Sequence, residues 1–182
     1  ESSTPYLFNE DVVQAEAVRA LVRESGVPLL FGTDEVERGA PDKYYNSAFV
    51  LDPTGAVAAV YRKMQLVPFG EFVPLKSLLF FVAPLVDAVS EFTPGERVTM
   101  LPIDGHMAST AICYEVVYPH LIRQAVLEGA ELLTTITNDA WYGNSSAPYQ
   151  HFELASMRAI EQGRFALTTP ITELIPEFNG HG

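Results

Sequence analysis

The chain has 182 residues, 48% of them hydrophobic and 19% charged, which excludes a disordered or fibrous segment and fits one compact domain with a sizeable core. Its 23 acidic against 11 basic side chains leave a formal net charge of -12, and no basic run is longer than Arg62-Lys63. That balance excludes nucleic acid as a partner and broad electrostatic adsorption to anionic lipid, so any membrane contact is expected to be local and apolar.

The first predicted element is a helix capped by Asn9 and running to Ser25, with Glu10 and Asp11 at its positive end, Val13, Ala17, Leu21 and Val22 on its apolar face, and Gly26 ending it. VPLLFGT, residues 27–33, reads as a buried strand. Residues 45–51 and 56–61 are β-prone runs joined by Asp52-Pro53-Thr54-Gly55, a turn sequence, and so predict a hairpin. Residues 62–95 are punctuated by proline and carry no sustained period, so they predict a long functional loop with a short helix inside it.

Two further strands are expected at 97–103 and 107–113 around Asp104-Gly105, then a helix at 117–128 that Gly129 ends. A strand at 131–137 leads into the polar loop NDAWYGNSSAP and a helix at 148–162, entered at Ser146 or Ala147 and left at Gly163. Phe165 begins a last predicted strand. Strands alternating with helices, plus hairpins, argue for a layered α/β fold, in which functional residues gather at strand ends.

The chain opens on the polar ESSTPY and holds no apolar run near the ~20 residues of a membrane span. Both ends read as cut, which makes a fragment of a longer protein the expectation. Cys113, the single cysteine, can form no internal disulfide and no zinc cluster. His106, His120, His151 and His181 are scattered without the pairing a metal site uses, so no metal is expected and all four read as surface or supporting residues.

Cys113 ends an apolar strand in AICYE and is followed by a helix, a position that suits a nucleophile. An ordinary thiol is only about 3% thiolate at pH 7, so catalysis there requires a neighbouring base or positive electrostatics. Taken alone, an inert buried cysteine is the heavier reading. Lys63, just after a strand, is placed to steady an oxyanion, or else is a solvated surface lysine. Glu71, among Phe69, Phe72 and Val73, is a carboxylate in an apolar stretch that wants a partner or a task, with a glutamate pointing out of a loop as the even alternative.

Three blocks taken together, YRKMQLVPFGEFVPL (61–75), AICYE (111–115) and TNDAWYGNSSAPYQHFELASMRAIEQGR (137–164), resemble the apolipoprotein N-acyltransferase family of the nitrilase, or carbon-nitrogen hydrolase, superfamily. The resemblance runs from Glu1 to about Thr169 and implies a nitrilase-like α-β-β-α sandwich, incomplete at both ends, with residues 1–182 as the catalytic domain and 62–95 as its active-site loop. It implies a Glu-Lys-Cys triad of Glu1, Lys63 and Cys113, with Glu71, Tyr114 and Glu115 in support and no cofactor. Glu1 rests on the ESSTPY that follows it, because the Trp-Pro pair that precedes the family's glutamate is absent.

The implied reaction moves an acyl chain from a phospholipid, through a thioester on Cys113, to the amine of a diacylglyceryl-cysteine at an apolipoprotein N-terminus. The implied location is the bacterial inner membrane, with this domain on the periplasmic side and membrane helices N-terminal to it. SLLFFVAPLVDAVSEF (77–92), with Phe80 and Phe81, is either a lipid-facing lid or a short core helix. Trp141, Tyr142 and Tyr149 either line the substrate site or pack in the core, while Asn138 and Asp139 are equally turn formers or ligands. After Thr169 the family's strand-turn-strand is missing before PITELIPEF. The alternatives are an amidase of the same superfamily, with the same triad acting on a small amide, and a non-catalytic lipid- or partner-binding module.

Overall fold

The computed structural model describes residues 4–74 and 91–163. The first helix, α1, spans Val12–Ser25, and its cap is Asp11, whose Oδ1 accepts the Gln14 amide at 3.0 Å. Asn9, the expected cap, instead donates its side-chain amide to the Val36 carbonyl at 2.8 Å. Gly26 closes the helix at φ 67, a left-handed conformation that costs glycine little.

The buried face of α1 is Ala15, Val18 and Val22; of the predicted face Val22 is buried, while Ala17 is exposed and Val13 and Leu21 are 79% and 62% exposed, so the helix is turned from most of that face. The cause lies opposite it: Phe8, Phe49 and Leu51 form the surface it packs on, and the small Ala15 lets the helix approach those rings.

Under α1 lies an antiparallel sheet of β1 (Leu29–Glu37), β2 (Lys43–Leu51) and β3 (Val57–Arg62), in that order. The predicted hairpin is β2–β3. Its turn is fixed by Asp52 Oδ1, which accepts from the Thr54 amide, the Thr54 hydroxyl and the Ala56 amide at 2.8, 2.6 and 3.2 Å. Strand alternation splits β2 between two surfaces: Phe49 and Leu51 face α1, while Ala48 and Val50 face a second sheet.

That second sheet is β4 (Leu101–Ile103), β5 (His106–Ile112) and β6 (Leu132–Ile136), with β4–β5 antiparallel and β5–β6 parallel. Ala48, Val50 and Tyr61 pack against Leu101, Ala108, Ile112 and Cys113, which makes the space between the sheets one core. On its other face the second sheet carries α2 (Pro119–Leu127) and α3 (Ala147–Glu161), through Leu121, Ala125, Ile122 and Leu154. The layers are therefore α-β-β-α.

Several boundaries differ from the sequence reading: the strand expected at 27–33 runs Leu29–Glu37, and the one expected to end at Cys113 ends at Ile112. The strand expected from Arg97 begins at Leu101, and the helix expected from Val117 begins at Pro119, whose fixed φ and missing N–H suit a first helical turn. The gap before it is a 3-10 turn, Cys113–Val117. The strand expected from Phe165 lies outside the described residues; of the 62–95 loop, in which a short helix is expected, residues 62–74 and 91–95 are described and hold no helix.

Candidate active site

Lys63 continues the inward-facing alternation of Tyr61 one step past β3, and this carries a lysine into the core, where it is fully buried. Its backbone amide donates to the Asn46 carbonyl and its carbonyl accepts from Gly95, both at 2.8 Å. Its Nζ lies 2.9 and 2.8 Å from the two oxygens of Glu71, itself 7% exposed. Glu71 also accepts the Asn46 side-chain amide at 2.8 Å and the Val67 backbone amide at 2.8 Å. A buried pair held this fully can be accommodated, whereas removing one partner of such a pair typically costs about 3–5 kcal/mol.

Glu71 reaches Lys63 because its loop is tightly folded. Its amide donates back to the Val67 carbonyl at 2.9 Å, Phe69 adopts φ 64 between them, and the Glu71 carbonyl accepts the returning chain at the Phe92 amide, 2.9 Å. The side chain of Asn46 was not singled out by sequence reasoning. Its signal was an amide inside the β-prone run KYYNSAFVL, where a strand on the core side does not favour one.

Cys113 follows β5 directly and opens the 3-10 turn at φ 51 with 2% exposure. A left-handed non-glycine residue costs about 1–3 kcal/mol and persists only where its surroundings fix it. Glu115 supplies part of that fixing. It is fully buried, and its Oε2 accepts the Ile112 amide at 2.9 Å, on the residue just before the thiol. Its Oε1 accepts the Tyr61 hydroxyl at 2.8 Å and the amides of Met64 and Gln65 at 2.7 and 3.1 Å. One carboxyl thus ties the cysteine turn to the two residues after Lys63.

Burial pushes the Glu115 carboxyl above the ordinary carboxylate range, against the opposing pull of the Ile112, Gln65, Tyr61 and Met64 donors. Burial and the neighbouring Glu115 also hold the Tyr61 hydroxyl far above its ordinary range, so Tyr61 keeps its proton and donates.

On the far side of the thiol, the Tyr142 hydroxyl lies 3.7 Å from Cys113 Sγ, within reach of a sulfur hydrogen bond. Tyr142 ends the 3-10 turn Asp139–Tyr142 that follows β6. Trp141 belongs to the same turn, its side chain outside what the structure describes. Tyr114 packs at the edge of the inter-sheet core and stands edge-on to Tyr118, with ring centroids 5.5 Å apart. Tyr149 is 76% exposed on α3.

The structure therefore brings Lys63 together with Glu71, and Cys113 with Glu115 and Tyr142, and leaves Tyr149 facing outward. Glu1, Phe80 and Phe81 lie outside the described residues. Among the described residues no group of three His, Cys, Asp or Glu is placed to hold a metal ion. The chemistry this arrangement offers is that of a buried thiol with an adjoining hydroxyl, on a turn that Glu115 ties to the segment after a buried lysine held by a carboxylate, a set of groups that suits attack on a carbonyl and support of the resulting oxyanion.

The carbon-nitrogen hydrolase family model matches residues 2–181. A curated relative from Geobacter metallireducens, named apolipoprotein N-acyltransferase, is 40% identical over 100% of this chain and 35% of its own length. Relatives of the same name from Brucella suis and Methylococcus capsulatus are 37% and 39% identical over 90% and 87% of this chain, each covered over 31% of its length. The chain thus spans about a third of the length of these relatives. Among solved structures, the NitN amidase from Neterenkonia sp. AN1 is similar at a TM-score of 0.59 and 25% identity, over 87% of this chain and 54% of that one. A variant of the Nesterenkonia sp. AN1 amidase carrying acrylamide added at its active-site cysteine matches at the same TM-score and identity.

Proposed function

The chain belongs to the carbon-nitrogen hydrolase family, and from that premise we propose that it is the catalytic domain of an apolipoprotein N-acyltransferase, with Cys113 as nucleophile. The observation that carries the reading is the buried thiol at φ 51, tied through Glu115 to Met64 and Gln65, which directly follow the Lys63 of the buried Lys63–Glu71 pair. Support for a transferase over a hydrolase comes from the relatives of that name, which are more similar in sequence than the amidases.

In the proposed reaction Glu1 takes the Cys113 proton, and the thiolate attacks the ester carbonyl carbon of a phospholipid. Lys63 steadies the oxyanion, with Glu71 holding the lysine in place. The ester C–O bond breaks, the leaving lysophospholipid oxygen takes the proton back from Glu1, and the acyl group stays on sulfur as a thioester. The amine of a diacylglyceryl-cysteine then attacks the thioester carbonyl and gives a proton to Glu1, the C–S bond breaks, and the departing sulfur takes that proton, which restores the thiol. Residues 62–95 form the active-site loop in this reading, and Phe80, Phe81, Trp141 and Tyr142 border the lipid. The whole protein is proposed to act at the bacterial inner membrane, with this domain on the periplasmic side.

The test is substrate exchange with the full-length protein. Phospholipid vesicles and a lipopeptide bearing an N-terminal diacylglyceryl-cysteine should yield a lipopeptide heavier by one acyl chain. The amidase folds favour a second reading, hydrolysis of a small amide. Ammonia release from small amides, with no acylation of the lipopeptide, would replace the first reading with the second.

A further inference from the structure

The Tyr142 hydroxyl beside the thiol is held by a contact that the proposed reaction does not use. Tyr142 sits at the end of a four-residue 3-10 turn, too short to fix its ring through its own hydrogen bonds, and the Asn138 side chain does not cap that turn. Asp139, the turn's first residue, is held instead. Its Oδ1 accepts the Thr137 hydroxyl at 2.9 Å and lies 2.9 Å from Nδ1 of His151.

His151 projects from the first half of α3 and is 8% exposed. Its ring meets the Tyr142 ring edge-on, with centroids 5.4 Å apart and planes at 88°. With Nδ1–H donating to the Asp139 oxygen, the contact fixes the orientation of the imidazole. The same ring thus bonds to the start of the turn and packs against its end. It anchors both to α3, whose neighbours Leu154 and Ala155 pack with Ala111 and Val116 on either side of the nucleophile.

We infer that Asp139 and His151 are a positioning pair for the nucleophile, acting through Tyr142 by holding its hydroxyl against Cys113 Sγ. The inference deepens the proposed function, because it rests on Cys113 being the reacting group. The Tyr142 hydroxyl donates to the sulfur as negative charge develops on it. His151 neither takes nor gives the reacting proton.

The test is a double-mutant cycle in the full-length protein, read as the rate of iodoacetamide alkylation of the Cys113 peptide at one pH, followed by mass spectrometry. Y142F and H151A should each slow alkylation about tenfold, the loss expected for one hydrogen bond to a charged group. In the Y142F background, H151A should slow it no further. D139A, which removes the same bond from the turn side, runs the same cycle if H151A does not fold. Penalties that multiply in the double variants, or a normal rate in both H151A and D139A, would overturn the inference. Alkylation needs neither lipid nor lipopeptide, so the cycle fails or succeeds separately from the acyltransferase reading.

Discussion

Glu115 joins the two halves of the site, since its oxygens accept Ile112 on one side and Tyr61, Met64 and Gln65 on the other. Its burial also gives it a signature in pH. The folded carboxyl holds its proton above the ordinary range of the unfolded chain, so the stability it contributes is full in acid and is lost as pH rises through the raised value. Glu115→Gln cannot titrate, and it turns an amide N–H toward a donor, which costs about 1–3 kcal/mol. Chemical denaturation across pH should therefore show wild type most ahead of E115Q in acid, with the gap narrowing as pH rises. A gap that is constant or widens would contradict the burial argument.

At this scale Cys113 and Lys63 were legible because each lies in a short block whose residues resemble a family motif. Asn46, Tyr61 and the Asp139–His151 pair were not. Asn46 meets Glu71 across 25 positions and Tyr61 meets Glu115 across 54, so no local spacing announces either contact. His151 read as a surface or supporting residue, and its burial and partner came only from the way α3 lies over the turn after β6.

Among the elements, the return of the 62–95 loop to β3 is the most constrained. The Gly95 amide donates to the Lys63 carbonyl at 2.8 Å, and a Cβ at Gly95 would lie 2.1 Å from the Arg62 carbonyl oxygen. That obstacle is backbone, so Gly95→Ala must move either the loop or the end of β3. A loss of about 2–3 kcal/mol is expected, within the usual range for overpacking. Gly105, at φ 81 in the β4–β5 turn, has open space where a Cβ would sit, with nothing within 4 Å. Gly105→Ala should therefore cost only the left-handed strain, about 1–2 kcal/mol. Denaturation midpoints of the two variants check this. Acyl transfer should also fall in G95A and stay near wild type in G105A, whereas equal loss in both would mean that Gly95 does not hold the Lys63 segment.

The elements themselves were largely readable, because Gly26, the Asp52-Pro53-Thr54-Gly55 turn and Gly129 punctuate the chain where it turns. The face of α1 was not. Val13, Ala17 and Leu21 are apolar at helical spacing, but the sheet beneath offers aromatic rings that select Ala15 and Val22. Likewise Asn9 and Asp11 both suit a cap, and the tertiary bond from Asn9 to Val36 decides between them.

In the whole molecule, the two sheets close on one core and the site lies where β3 and β5 both end, so the lysine and the cysteine arrive from different sheets. The α/β class followed from alternating strands and helices, whereas the sandwich followed from the resemblance, since pairing of β5 with β6 and stacking of sheet on sheet are long-range contacts. Among the described residues no helix is long and apolar enough to cross a membrane. The central step of the proposal is what Cys113 carries between donor and acceptor.

That intermediate can be trapped. Full-length protein incubated with phospholipid, and with no acceptor, should carry one acyl group on the Cys113 peptide by mass spectrometry. The group should be released by hydroxylamine or by an amine-bearing diacylglyceryl lipopeptide, and be missing in Cys113→Ala. Acylation of the lipopeptide without any adduct on Cys113, or undiminished transfer by C113A, would contradict the account.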